Sequence, residues 1–251
     1  MQANDKRIVI IGATSAIAEH CARLWVSNES VELVLVGRDI KRVERVAADL
    51  LVRSPSSEIR CLDMDFTSPA AIRRAVDGIV AQGALQTVLI AHGSLPDQSA
   101  CQSDLNANQE ALSINGVSPV LFAEAFAEHM QTANSGTLII LSSVAGERGR
   151  KSNYVYGAAK AMVTRYAQGL QHRLAATGVK VVLVKPGPTD TPMTARMKQQ
   201  GASLASVDAV ARDIVEGAAN GSSVIYTPGR WALIMMIIRH LPRFVFNRMD
   251  I

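Results

Sequence analysis

The chain has 251 residues, 48% of them hydrophobic and 19% charged, a balance that excludes a disordered tail or linker protein and leaves enough apolar material for one substantial α/β core over residues 1–251. A net charge of +4 with only 4% aromatics argues against a basic groove studded with stacking rings, so no nucleic acid is expected as partner. Three widely spaced cysteines, Cys21, Cys61 and Cys101, form neither a disulfide framework nor a metal-ligand pattern; reduced thiols in a cytosol fit, and no metal is expected.

Met1–Lys6 lead straight into a β-branched run, Arg7–Ile11, without the apolar stretch of a leader, so a cytoplasmic protein is expected. The turn that follows, Ile11-Gly-Ala-Thr-Ser-Ala-Ile-Ala18, opens a helix over Ser15–Ser27. Backbone amides and the helix dipole at such a turn receive a pyrophosphate, which makes Gly12, Thr14, Ser15, Ala16 and Ile17 candidate nucleotide contacts. Only Gly12 is glycine; Ala16 and Ala18 stand where further glycines would be expected, each adding a methyl.

A second strand, Val31–Val36, ends before Gly37-Arg38. The acid that would bond a ribose 2′-hydroxyl is missing there, while Arg38 offers a fork for a 2′-phosphate, so NADP(H) is preferred over NAD(H). A helix over Lys41–Val52 leads to strand Ile59–Leu62, after which Asp63 and Asp65 compete as acceptors for an adenine amine; Asp65, followed by Phe66, is favoured. Helix Pro69–Gln82 and strand Thr87–Ile90 lead to Ala91-His-Gly93, whose His92 reads as a structural imidazole beside the cofactor.

The apolar spacing predicts one long helix over Asn106–Met130, then strand Leu138–Leu141 ending at Ser143. Helix Tyr154–Thr177 carries Tyr156 and Lys160 one turn apart, so phenol and ammonium share a face. A partly buried cation beside a phenol favours its ionised form, making Tyr156 a proton donor and acceptor, and a hydroxyl at Ser143 can polarise a carbonyl. Strand Val179–Val184 precedes Pro186-Gly187, and residues 189–204 form a short lid with Met193, Met197 and Gly201 as an adaptable lining. Helix Val207–Asn220 and strand Val224–Tyr226 follow.

Seven short strands alternating with helices imply right-handed crossovers and a single Rossmann-type doubly wound parallel sheet with helices on both faces. Ligands in such sheets lie beyond the carboxyl ends of the strands, where Gly12, Arg38, Asp65, Gly93, Ser143 and Pro186-Gly187 all fall.

In order and spacing these segments resemble the short-chain dehydrogenase/reductase family over nearly the whole chain: the loop at Gly12, Asp65-Phe66, Ala91-His-Gly93, Asn115, Ser143, Tyr156-x-x-x-Lys160 and Lys185-Pro-Gly-Pro-Thr-Asp-Thr191. The resemblance implies a carbonyl reductase in which Tyr156 protonates the carbonyl oxygen, Ser143 orients it, Lys160 binds the nicotinamide ribose, and Asn115 anchors a relay water. It also implies that Pro186-Gly187 and Thr189–Thr191 hold the carboxamide, and that chains pair as a homodimer or homotetramer through the segments 106–130 and 154–177, where Ala158, Ala159 and Ala161 permit close approach. The alanines at positions 16 and 18 and the sequence Ala91-His92-Gly93 depart from the family pattern and touch the cofactor grip.

Two segments, Ser142–Arg148 leading to Val155-Tyr-Gly and Tyr226–Trp231 continuing through Ile238–Arg243, are similar to reductases of a keto-pentose carried on decaprenyl phosphate and to their membrane-associated relatives. This implies a keto-sugar on a polyprenyl phosphate, or another lipid-linked ketone, as substrate. The tail, 228–251, fits that expectation: Trp231–Ile238 is eight apolar residues, far below the ~20 that cross a bilayer. It is framed by Arg230, Arg239, Arg243 and Arg248 against Asp250 and holds +3 of the +4. Such a segment can lie among the headgroups of an anionic membrane, here its cytoplasmic face, or pack inward as an oligomer contact for an enzyme of a soluble ketone.

Overall fold

Strand β1 (Arg7–Ile11) is buried at every position, as a central strand covered on both faces must be. The structure, a computed structural model, describes residues 6–249; Met1–Asp5 and the tail's Asp250 and Ile251 lie outside the described residues. The other strands are β2 (Glu32–Gly37), β3 (Glu58–Asp63), β4 (Thr87–Ile90), β5 (Gly136–Leu141), β6 (Val179–Pro186) and β7 (Val224–Thr227). All run parallel in the order β3-β2-β1-β4-β5-β6-β7, the doubly wound sheet expected from the sequence.

The helices are α1 (Ala16–Asn28), α2 (Ile40–Arg53), α3 (Pro69–Val80), α4 (Gln98–Ser103), α5 (Leu105–Leu112), α6 (Ser118–Ala133), α7 (Tyr154–Leu174), α8 (Ala195–Gln199), α9 (Val207–Ala219), α10 (Arg230–His240) and α11 (Arg243–Phe246). Alternation along β1 sorts them. Val9 and Ile11 pack with α3, α6 and α7, while Ile8 and Ile10 pack with α1, α2 and α9. Phe122 and Phe126 on α6 are completely buried, each contributing ~1.5–3 kcal/mol by its removal from water.

The register brings the carboxyl ends together: Ile11 pairs with Val36 on one side and Ile90 on the other, and Ile90 pairs with Ile140. Beyond these ends the loops stay tied to the sheet, with Gly12 N donating to Val36 O (2.9 Å), Ala91 N to Ile11 O (2.9 Å) and Ser142 N to Val184 O (2.8 Å). The reversal of winding on either side of β1 and β4 opens a crevice there.

Two expectations change. The helix expected over Asn106–Met130 is broken into α5, a π-helical turn at Ser113–Val117, and α6. In that turn the Ser118 amide reaches back five residues to the Ser113 carbonyl, and Pro119 has no N–H to give to the Asn115 carbonyl four residues earlier. Ala159, expected on an outer pairing face, is instead fully buried, with Gly116 packed against it. Ala158 is exposed and Ala161 half-buried.

The apolar tail is two-faced rather than uniform. On α10, Met235 is buried and Trp231, Ile234 and Ile238 are half-buried, while Leu233, Met236 and Ile237 point outward with Phe244 of α11. No helix among the described residues is long and apolar enough to cross a membrane.

Candidate active site

A cleft of about 460 Å³ lies beyond the carboxyl ends of the strands, lined by residues from almost every loop there. At one end stand Gly12, Thr14, Ser15, Ala16, Ile17, Arg38 and Phe66; at the other, Ser143, Tyr156, Lys160, Pro186, Gly187, Thr189 and Thr191, with Ala91, His92 and Gly93 also in the wall. Two expected residues are not in that wall. Asp65 is exposed, and its carboxylate accepts from Thr67 N (2.8 Å) and Thr67 Oγ1 (2.6 Å), which holds its pKa below the usual carboxylate range. Asn115 is completely buried behind the wall, its Oδ1 accepting from Ser94 N (2.8 Å) and its Nδ2 donating to Ala111 O (2.9 Å).

Gly12 is the loop glycine that geometry demands. Its φ is +85°, and a Cβ there would lie 2.6 Å from His92 N and 2.7 Å from His92 Cα, so the first turn and the His92 segment touch backbone to backbone. His92 closes the inner wall: Nε2 meets Ser118 Oγ at 2.8 Å, and the ring stands edge-on to Phe66 (4.8 Å) and Phe122 (5.5 Å). Burial, with the charges of Lys160 and Arg38 adding to it, pushes His92 down to about 3, so the imidazole is neutral. The ring packs in the wall as a neutral imidazole between Phe66 and Phe122.

The Tyr156 end is assembled by α7 and the turn after β5. Ser142 Oγ donates to Lys160 O (2.8 Å) and meets Thr164 Oγ1 (2.7 Å), fixing the strand end against α7. Ser143 Oγ accepts from Ala145 N (3.1 Å) and is hydrogen-bonded to the Tyr156 phenol. Burial pushes that phenol up to about 12, against the lowering effect of the Ser143 bond. The lowering expected from Lys160 is opposed by burial: the ammonium is 5.9 Å from the ring centroid, donates to Leu141 O (3.1 Å), and is itself pushed down to about 8. Burial is the largest cause at both groups.

The sequence reading missed several wall residues. Arg42 joins Arg38 beyond β2, and both are exposed; Asp39, the acid between them, is committed to capping α2 through Arg42 N (3.3 Å). The Arg38 to Arg42 spacing of one helical turn is a signal that could have found the second arginine. Glu19, Arg150 and Asn153 also line the cleft, as do Met193 and Met197 of the expected lid, and among the described residues Glu19 is the only carboxylate there.

Behind the Tyr156 end, the tail is latched to the cleft wall. Glu147, four residues beyond Ser143, is buried and pairs with Lys185, with Arg239 Nη1 (3.2 Å) and with Tyr226 Oη (3.1 Å). Arg148 Nη1 donates to the carbonyls of Ile238 and Leu241 (2.7 Å to the latter), and its guanidinium lies 3.8 Å above the Phe246 ring. Trp231 packs on Gly187 so closely that a Cβ there would lie 1.9 Å from its Nε1.

Comparison with known proteins places this geometry. The profile of the short chain dehydrogenases matches residues 6–202. An uncharacterized oxidoreductase of Mycobacterium tuberculosis is 33% identical over 245 residues, 96% of each chain, and one of Streptomyces coelicolor is 29% identical over 97% of this chain and 96% of its own. Among solved structures, a short-chain dehydrogenase from Sphingobium yanoikuyae in complex with NADPH superposes with a TM-score of 0.81 at 24% identity, covering 95% of this chain and 97% of its own. A bulky-bulky ketone specific alcohol dehydrogenase from Comamonas testosteroni gives 0.80 at 20%, covering 95% of each; at these identities both likenesses are of fold.

Proposed function

Because the chain belongs to the short-chain dehydrogenase/reductase family of oxidoreductases, we propose that it is an NADP(H)-dependent carbonyl reductase. The observation that carries this is the convergence of Ser143, Tyr156 and Lys160 at one end of a cleft whose other end is a strand-to-helix turn flanked by two arginines. The residues fit a dinucleotide: the α1 N-terminus would receive the pyrophosphate, and Arg38 and Arg42 would face a 2′-phosphate, with Asp39 between them committed to the α2 cap. The bound nicotinamide supplies hydride to the carbonyl carbon. The protein's own part is at the oxygen: Ser143 holds it, and the Tyr156 phenol, kept protonated by burial, donates its proton as the alkoxide forms. Lys160 holds ribose hydroxyls and stabilises the resulting phenolate. Arg38→Ala is expected to weaken NADPH binding by ~1.5–3 kcal/mol and NADH much less, since a charge-assisted contact is lost only for the former. Fluorescence titration with both cofactors checks it, and equal losses would refute the assignment.

The finer reading is a lipid-linked ketone, a keto-sugar on a polyprenyl phosphate, met at an anionic membrane. What supports it is the outer face of the tail, where Leu233, Met236, Ile237 and Phe244 are exposed beside Arg230, Arg243 and Arg248. The inner face of α10 meanwhile packs on the site through Trp231 and Arg239. Arg239 is unsuitable as a probe because it pairs with Glu147. Arg230→Glu with Arg243→Glu is expected to release the protein from anionic vesicles in flotation, each arginine contributing about 1 kcal/mol near the surface. Wild-type protein that ignores such vesicles at low salt would end the membrane reading.

A further inference from the structure

The cleft walls carry four cations, Arg38, Arg42, Arg150 and Lys160, against one carboxylate, Glu19. In the proposed reading Arg38 and Arg42 face a 2′-phosphate and Lys160 faces ribose hydroxyls. Arg150 is left over. It sits in the turn between Ser143 and α7, six residues before Tyr156, is half-buried, and its Nε is buried with no hydrogen-bond partner. Among the described residues no carboxylate pairs with it. Burial alone acts on its pKa, and lowers it.

Its neighbours show how unusual that is. Of the nearby cations, Lys185 and Arg239 pair with Glu147, Arg148 with two carbonyls and Phe246, Arg196 with Asp97 (3.3 Å) and Lys198 with Asp190 (2.6 Å). A guanidinium drawn partly out of water without an anion costs free energy that a ligand oxyanion would offset. Its planar fork suits the two oxygens of a phosphate or carboxylate. Asn153, the residue before α7, brings a second unsatisfied atom to the same wall: its Oδ1 is buried without a partner, and its amide can meet a hydroxyl.

We propose that Arg150 is the anion-binding residue of the substrate subsite, so that the ketone reduced at Tyr156 carries an oxyanion, a phosphate or a carboxylate. The proposal rests on the reductase reading for the identity of the substrate as a ketone, but the subsite can be measured without turnover. On protein saturated with NADPH, which occupies the Arg38 and Arg42 end, inorganic phosphate, dimethyl phosphate and acetate are titrated separately by calorimetry. These arms distinguish a phosphomonoester, a phosphodiester of the lipid-linked kind and a carboxylate. At least one is expected to bind, and Arg150→Met and Arg150→Gln are each expected to weaken it at least tenfold while NADPH affinity stays within twofold. Two variants and their thermal melts separate loss of the cation from loss of the fold, and Arg150→Lys is expected to recover part of the affinity. With turnover, the selectivity ratio for an anionic over a neutral ketone is expected to fall tenfold in the same variants. If no ketone is reduced but phosphate binding still depends on Arg150, the reductase reading fails and the subsite stands. If no anion binds wild-type protein, if the variants bind as wild type does, or if they lose NADPH in equal measure, Arg150 is not a substrate anchor. Should NADPH not bind, the titration is made on the Arg38→Ala/Arg42→Ala protein, which lacks the competing cations.

Discussion

Tyr156→Phe is expected to lower ketone turnover by at least ~100-fold while leaving NADPH affinity nearly intact, because the ring is kept and only the proton donor is removed. The phenol's burial, which pushes it up to about 12, keeps it protonated at neutral pH, and Ser143 orients it. Phenylalanine preserves the ring on α7 and deletes that one proton. The pH dependence follows from Lys160, pushed down to about 8 by burial. Below that pH its ammonium is charged and can stabilise the phenolate left by proton transfer. As pH rises through about 8 the charge is lost, so reduction is expected to decline on the alkaline side. His92, neutral above about 3, adds no acid limb near neutrality. Steady-state rates with fluorescence titration of the cofactor check both statements; near-normal turnover of the variant would sink the assignment of Tyr156.

Gly12→Ala is expected to be the most damaging one-carbon change in the cofactor loop. Two independent costs act at that position. A residue with a Cβ at φ +85° is strained by roughly 1–2 kcal/mol, and the new methyl meets backbone and Cβ atoms of His92 at 2.6–2.7 Å, which cannot move aside as a flexible side-chain tip could. Forced overpacking of this kind costs about 1–3 kcal/mol more. A loss of about 2–5 kcal/mol in urea unfolding is therefore expected, accompanied by weaker cofactor binding as the turn and the His92 segment are pushed apart. A variant as stable as wild type, with undiminished NADPH affinity, would show that this contact is not what holds the turn. Ala16 and Ala18 are compatible with the same loop because they stand at the start of α1, and the Ala18 methyl is accommodated in the core without exposure.

How much of this was legible in the sequence depends on the range of the interactions. Strand positions follow from short β-branched runs, and β1 and β4 have the ends expected of them; β6 runs two residues past the expected Val184 because β7 supports it, with Pro186 opposite Thr227. Tyr156 and Lys160 were readable because a helix keeps neighbours one turn apart. The π-turn at Ser113–Val117 was not, since apolar spacing continues through it and only Pro119 hints at the break. Arg150 had no pattern to betray it: it reaches the cleft because the loop between β5 and α7 carries it there. The latch of Glu147 and Arg148 to the tail spans about ninety residues, and periodicity carries no information at that distance. Asp65 was chosen by position after a strand, and position cannot reveal that its Oδ1 accepts from Thr67.

That latch also sets an order of events in the making of the protein. Ribosomes deliver the chain from its N-terminus, so Ser143, Glu147 and Arg148 emerge long before Arg239 and Phe246, which reach them last. Until then Arg148 lacks the Ile238 and Leu241 carbonyls, and the Gly187 backbone lacks the cover of the Trp231 indole. A nascent chain halted before residue 230 can hold every strand of the sheet and every side chain of the proton-transfer set and still have an unfinished wall behind them.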